Sequence, residues 1–505
     1  MQHRLERDPL GPVHVPADAY YGAQTARALD NFPISGLHAH AALVRATVIV
    51  KLACAEANGA LGRLPARTAD AIARAAREVI KGALRDQFVV DVYQAGAGTS
   101  HNMNANEVLA NRAEELLGGK RGEYARVHPN DHVNMGQSTN DVYPTATRLA
   151  ILTHHAALAD SARELARALD AHAARWKRVL KTGRTHLQDA VPITLGQEFS
   201  GWAANVAVAV EELDHAAARL HELNLGATAL GTGLNAGAAF TEASIARIAK
   251  ETGLPVRPAA NRFRVTQSMG DIAAWSAAMR RLAMEVNKIA SDLRLLASGP
   301  RAGLAEISLP AVQPGSSIMP GKVNPSIPEM VNQVCYQVFG CDAAIAAAAD
   351  AGQLELNVMM PVMAWNGLHA SAILTNALTV FRERCIDGIE ADEARCRELL
   401  DRSTAVATAL SPYIGYEATA RIAKASVAAG RPIRELVLEE GLLDAAAVEK
   451  ILSPEAMTEP GVVDAGEKHA RSTSGSRSRD VGNAPARAGA RRTRAAVPAR
   501  RTRRP

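Results

Sequence analysis

The stretch WSAAMRRLAMEVNKIASDLRLL, residues 275–296, decides the fold class. Its apolar positions Trp275, Met279, Leu282, Val286, Ile289, Leu293 and Leu296 advance by 4, 3, 4, 3, 4 and 3 residues, which places them on one face of a helix. Val206, Val210, Leu213, Ala217 and Leu220 make a second stripe of the same kind. The opposite faces are rich in alanine, so several neighbours can pack closely against these helices, other subunits among them. Further helices are predicted over 41–84, 141–178 and 327–381, and a smaller helical unit runs from about 390 to near Pro460. Residues 1–40, punctuated by Pro and Gly in DPLGPVHVPADAYYGAQT, read as loop. No strand-helix alternation and no GxGxxG or GxxxxGK[ST] loop is found, so the fold is expected to be mainly α and nucleotide binding is unsupported.

Composition agrees with closely packed helices. Hydrophobic residues are 48% of the 505 and aromatic ones only 4%, so the core must be built from Ala, Leu, Val and Ile. The length suits two to four domains. There is no run of about 18 apolar residues for a membrane span, and MQHRLERDPLG lacks the apolar core of a signal peptide, so the chain reads as cytoplasmic. Cys54, Cys335, Cys341, Cys385 and Cys396 are odd in number and form no CxxC pair, so they are expected as buried small hydrophobes without disulfide or zinc.

The net charge of +5 is a property of one end. Residues 466–505 carry Lys468 and eleven arginines against Glu467 and Asp480, a balance of +10 that leaves −5 on residues 1–465. A segment without hydrophobic periodicity cannot bury enough apolar surface to offset its ordering entropy, so 463–505 reads as a basic, disordered tail. It could contact nucleic-acid phosphates, but no aromatic side chain is interleaved for base stacking, and a plain solvated extension is the simpler reading.

Four stretches concentrate small polar side chains: GAGTSHNMNANE (96–107), NDHVNMGQSTND (130–141), GRTHLQD (183–189) and the approach to and body of GSSIMPGKVNP (315–325). Each Ser, Thr or Asn alone would pass for a cap or turn residue. Together, hydroxyls and amides with one Lys and one His make a poor metal site and a good cradle for a small dianion such as a dicarboxylate. Such donors also stabilise charge that develops during a reaction.

GSSIMPGKVNP resembles the signature of the aspartase/fumarase superfamily. VPADAYYGAQT, HPNDHVNMGQSTNDVYPT, GRTHLQDAVPITLGQE, LGATALGTGLN and GQLELNVMMPVM are similar to further blocks of that superfamily in the same order, over roughly residues 4–462. The resemblance implies a three-domain fold with a central bundle of long helices, divided at 1–137, 138–390 and 391–462. It also implies a homotetramer whose sites are shared between subunits, a small dicarboxylate substrate and no organic cofactor. Ser316, His186 and Lys322 become the expected catalytic residues. Thr99, Ser138, Thr139, Asn140, Thr185, Ser317 and Asn324 are expected to bind substrate, and Glu329 to orient His186; no metal ligands are assigned. Two activities compete within the superfamily, aspartate ammonia-lyase and class II fumarase. Ala97, Ser100, Thr139, Gln353 and Leu354 follow the aspartase pattern, His186 is shared, and Met135 and Gly136 fit neither well. A catalytically silent structural relative is a third alternative.

Overall fold

The computed structural model describes residues 2–462. Strands β1 (His3–Asp8) and β2 (Gly11–Pro16) form an antiparallel hairpin, followed by helices α1 (Ala23–Asn31), α2 (Ala41–Ala60), α3 (Ala66–Ile80), α4 (Thr99–Leu116) and α5 (Thr139–Arg175). A second hairpin, β3 (Leu180–Thr185) and β4 (Gln188–Thr194), leads into α6 (Leu195–Ala218). Helices α7 (Ala238–Thr252), α8 (Arg262–Gln267), α9 (Gly270–Leu296), α10 (Ser326–Asp350) and α11 (Met360–Arg384) follow, and six short helices lie between Glu393 and Thr458. The mainly α expectation therefore holds.

The two heptad stripes form the seam of a bundle. Helices α5, α6, α9, α10 and α11 pack in a closed ring of neighbours, each against the next. Trp275, Met279, Leu282, Val286 and Leu293 on α9 are wholly buried, as are Val206 and Leu213 on α6. Burying each such side chain contributes about 2–3 kcal/mol. A second apolar cluster joins α2, α3 and α4, and a third lies among the C-terminal helices and takes in Leu180. All five cysteines are buried and unpaired, as small hydrophobes would be. No helix among the described residues is long and apolar enough to cross a membrane.

Three expectations need correction. The 41–84 helix is two, because Gly62 adopts φ 68° and Pro65 starts α3. The 327–381 helix is also two, interrupted by residues 351–359, where Leu354 has φ 51°. Residues 1–40 are largely ordered elements: the carboxylate of Glu107 on α4 accepts N–H bonds from Gly22, Gln24 and Thr25, which fixes the start of α1. The basic segment 463–505 lies outside the described residues.

Candidate active site

Two helix N-termini face the same small region. Thr99 opens α4 behind Gly98, whose φ of 79° makes the turn, and Thr139 opens α5 behind the N-cap Ser138. The positive end of the helix dipole favours an anion at both positions, with the Asn140 N–H already taken by the Ser138 Oγ and the His101 N–H by Gln94. The first polar stretch is helical from Thr99 onward; Thr99 is exposed, and Asn102, Asn104 and Asn106 within α4 are almost inaccessible. The Asn102 Nδ2 donates to Thr139 Oγ1 at 3.1 Å, which joins the first and second stretches directly.

The start of α5 is held by Asp141. Its Oδ1 accepts from the Ser138 backbone N–H at 2.9 Å, completing a capping box. Its Oδ2 accepts from the N–H groups of Gly226 at 3.0 Å and Thr228 at 2.9 Å, which anchors the LGATALGTGLN segment beside the site. Burial pushes the Asp141 carboxyl up to about 7, against the pull of those N–H donors and of Lys51. Pro144, inside α5, has no N–H for the Asn140 carbonyl one turn back. Asn224 supplies the missing donor through its Nδ2 at 3.2 Å. Asn140 itself donates from Nδ2 to the Ala229 carbonyl at 2.8 Å.

Thr185 and His186 sit at the exposed tip of the β3–β4 hairpin, a hairpin the sequence reading did not foresee. Thr185 pairs with Gln188, so His186 and Leu187 form a two-residue turn with φ of 55° and 59°. Such turns ordinarily use Asn or Gly, and a left-handed residue of another type costs about 1–2 kcal/mol. The base of the hairpin is tied down by charge. Glu306, wholly buried, accepts two bonds from Arg184 at 2.9 Å each and lies 3.3 Å from the Lys181 Nζ.

The signature segment 315–325 is a loop leading into α10. Ser316 is half-buried, and its Oγ accepts backbone N–H bonds from Ile318 at 3.2 Å and Met319 at 3.0 Å. Asn324 Nδ2 donates to the Gly315 carbonyl at 2.7 Å, and Gly315 N–H donates to the Lys322 carbonyl at 2.8 Å, so the loop closes on itself. Ser317 and Lys322 are exposed, whereas Glu329 is half-buried in the first turn of α10. Among the described residues of one chain, Glu329 makes no ion pair with His186. One chain therefore unites the 96–107 and 130–141 stretches by a hydrogen bond, and no hydrogen bond among the described residues joins the hairpin tip or the signature loop to them.

Sequence reasoning also passed over Lys51, Asn134, Gln137 and Asp141 near the second stretch. Lys51 is wholly buried on α2 within the apolar run VIVKLACA, and burial pulls its ammonium down to about 7. A lone lysine inside such a run was the available signal. Among the described residues no group of three or more His, Cys, Asp or Glu is placed to hold a metal ion.

The family model described as Lyase matches residues 11–340, and that described as Fumarase C C-terminus matches 406–459. Aspartate ammonia-lyase from Pseudomonas fluorescens is 51% identical over 91% of this chain and 97% of its own. Fumarate hydratase class II from Halobacterium salinarum is 50% identical over 91% of this chain and 98% of its own. Among solved structures, a fumarate lyase:delta crystallin from Brucella melitensis bound to cobalt superposes with a TM-score of 0.88 at 49% identity, covering 91% of this chain and all of that one. With matches of this extent and the signature loop in place, the chain belongs to the aspartase/fumarase superfamily of lyases.

Proposed function

We propose that this protein is an aspartate ammonia-lyase, a carbon-nitrogen lyase that reversibly converts L-aspartate into fumarate and ammonia. The observation that carries the reading is the setting of Ser316. A serine hydroxyl is far too weak an acid to serve as a base unless its alkoxide is stabilised, and two backbone N–H groups already point at the Ser316 Oγ. The alkoxide takes a proton from the carbon beside the β-carboxylate, leaving a dianionic aci-carboxylate. Collapse of that intermediate forms the C=C bond and breaks the C–N bond, and the nitrogen departs with its electron pair as ammonia.

Thr99, Ser138, Thr139 and Ser317 hold the β-carboxylate in this scheme, with the two helix N-termini supporting the added charge. Each donor that strengthens in the intermediate contributes about 3 kcal/mol. Lys322 and Asn324 hold the α-carboxylate; Asn140, Thr185 and His186 surround the amino group. No hydrogen bond among the described residues ties the exposed hairpin tip or the signature loop to the two helix N-termini, which fits a homotetramer whose sites draw on several subunits. The exposed Val208, Met284 and Tyr336 on the bundle helices fit the same assembly. We read a division at 1–137, 138–390 and 391–462: the second apolar cluster lies wholly in the first part and the third almost wholly in the last, while the bundle cluster reaches across to Leu43, Ile49 and Val50 of α2 and to Cys396.

Ammonia rather than water is favoured as leaving group by the buried Ala97, which offers no hydroxyl, and by Ser100 and Thr139. Class II fumarase is the second reading, supported by a fumarate hydratase relative as similar as the aspartate ammonia-lyases. Purified protein is offered L-aspartate or L-malate while fumarate absorbance is followed. Turnover of aspartate is expected; turnover of malate alone would replace the assignment with fumarase, and turnover of neither would favour a catalytically silent relative. Ser316→Ala is expected to abolish turnover in a folded protein, and normal rates would remove Ser316 from the mechanism.

A further inference from the structure

Lys51 touches none of the residues assigned to substrate, yet it heads a chain of hydrogen bonds that ends on one of them. Its Nζ donates to Asn134 Oδ1 and to Gln137 Oε1, each at 2.9 Å. Asn134 Oδ1 also receives Nδ2 of Asn102 at 3.3 Å and Nδ2 of Asn106 at 3.2 Å. Asn102 Nδ2 then reaches Thr139 Oγ1 at 3.1 Å.

The direction of every bond follows from the first. Charged or neutral, the amine keeps N–H groups for both amide oxygens, and with the Asn134 Nδ2 turned to the Gln137 carbonyl at 3.3 Å the Asn134 atom facing Lys51 is the oxygen. An amide approaching that oxygen must present its NH2, which fixes the orientation of Asn102. The Thr139 oxygen must then accept, and no acceptor among the described residues takes the Thr139 proton. That proton is left for the substrate.

We propose that Lys51 is a positioning residue that sets the polarity of the Asn134–Asn102–Thr139 relay, so that the Thr139 hydroxyl is presented as a donor to the carboxylate of a bound dicarboxylate. Without the lysine, only the longer 3.3 Å bond from Asn134 Nδ2 to the Gln137 carbonyl opposes a flip; once Asn134 turns its NH2 inward, Asn102 follows and Thr139 spends its proton on an amide oxygen. The inference rests on the assignment of Thr139 to carboxylate binding, and it holds whether the bound dicarboxylate loses ammonia or water.

The test reads binding rather than turnover, so that it stands apart from the choice of reaction. Affinity for succinate, an unreactive dicarboxylate, is measured by calorimetry on the full-length protein with Lys51→Met, Thr139→Val, the double variant, and the pair Asn134→Asp and Asn134→Leu. Lys51→Met is expected to weaken succinate about tenfold, the value of one lost charge-assisted bond. The double variant is expected to bind no more weakly than Thr139→Val alone, because both changes remove the same donor. Asn134→Asp keeps an acceptor towards Lys51 and is expected to stay within about twofold of the parent, with Asn134→Leu falling about tenfold. Multiplicative losses in the double variant, or equal losses in Asn134→Asp and Asn134→Leu, overturn the relay. Should Lys51→Met fail to fold, the Asn134 pair decides. Wild-type protein that binds succinate but turns over no aspartate refutes the ammonia-lyase reading alone; wild-type protein that does not bind succinate refutes the relay with it.

Discussion

Removing the Glu306 carboxylate tests how the hairpin that carries His186 is held. Glu306 is wholly buried and serves two cations, Arg184 through a two-pronged contact at 2.9 Å and Lys181 at 3.3 Å. Glu198 is a second carboxylate in the group, 3.4 Å from Lys181, and its side chain is a quarter exposed. In Glu306→Ala, the buried Lys181 is left with Glu198, and Arg184 with Glu198 and its cross-strand neighbour Asp189, neither of which hydrogen-bonds it. Breaking a buried pair by removing one partner costs roughly 3–5 kcal/mol. Because Arg184 lies on β3, two residues before His186, the loss should be local as well as global. Urea unfolding is expected to show a loss of about 3 kcal/mol or more, and amide exchange over residues 180–194 should quicken beyond that of α9. Replacing the two wholly buried charges together, as in Lys181→Met with Glu306→Leu, should recover part of the stability, since only the partly exposed Arg184 and Glu198 then lose a partner. A loss below about 1 kcal/mol would place the group in the range of solvated surface pairs. Unchanged exchange in the hairpin would refute its role as the anchor of His186.

Burial lowers the His101 imidazole from 6.5 to about 4, and its Nε2 lies 2.9 Å from Thr47 Oγ1. Acid protonates this histidine in the unfolded chain first, so its contribution is full above pH 6.5 and falls by roughly 3 kcal/mol as pH drops towards 4. Urea midpoints from pH 7 to 4 should therefore fall more steeply in the parent than in His101→Gln, and parallel slopes would refute the assignment. In Gly98→Ala a Cβ would overlap the Tyr143 ring at a residue with φ 79°, so a destabilisation above about 2 kcal/mol is expected, read as the shift in urea midpoint. Leu187→Gly relieves a left-handed residue that is 71% exposed, and should raise stability by about 0.5–1 kcal/mol after allowing for glycine's looser unfolded chain; a loss of stability would show that the leucine side chain is packed.

The bundle was legible because its signal is periodic. Trp275 through Leu296 repeats at helical spacing over six steps, and the burial follows the repeat. The β3–β4 hairpin was not legible because its turn is His186-Leu187 rather than a glycine-containing pair, and Pro192 lies in its second strand. Local chemistry there argues for a loop, and tertiary contacts with Glu306 override it. Two of the polar stretches fall at helix starts, Thr99 opening α4 and Ser138 capping α5 ahead of Thr139. What a linear reading cannot supply is the order in which hydrogen bonds run. Lys51 is 83 residues from Asn134 and lies in an apolar run, so nothing in its immediate sequence ties it to that amide.

The pairing of Pro144 with Asn224 constrains chain length. Asn224 fills the gap that proline leaves at the Asn140 carbonyl, and two and four residues later Gly226 and Thr228 give their N–H groups to one oxygen of Asp141. These three contacts form a fixed ruler against the first turns of α5. One residue inserted or deleted between 224 and 228 would leave at least one mark unmet. In this superfamily member, insertions should therefore be tolerated on the exposed turns elsewhere, while the spacing of this segment stays constant even where its side chains drift.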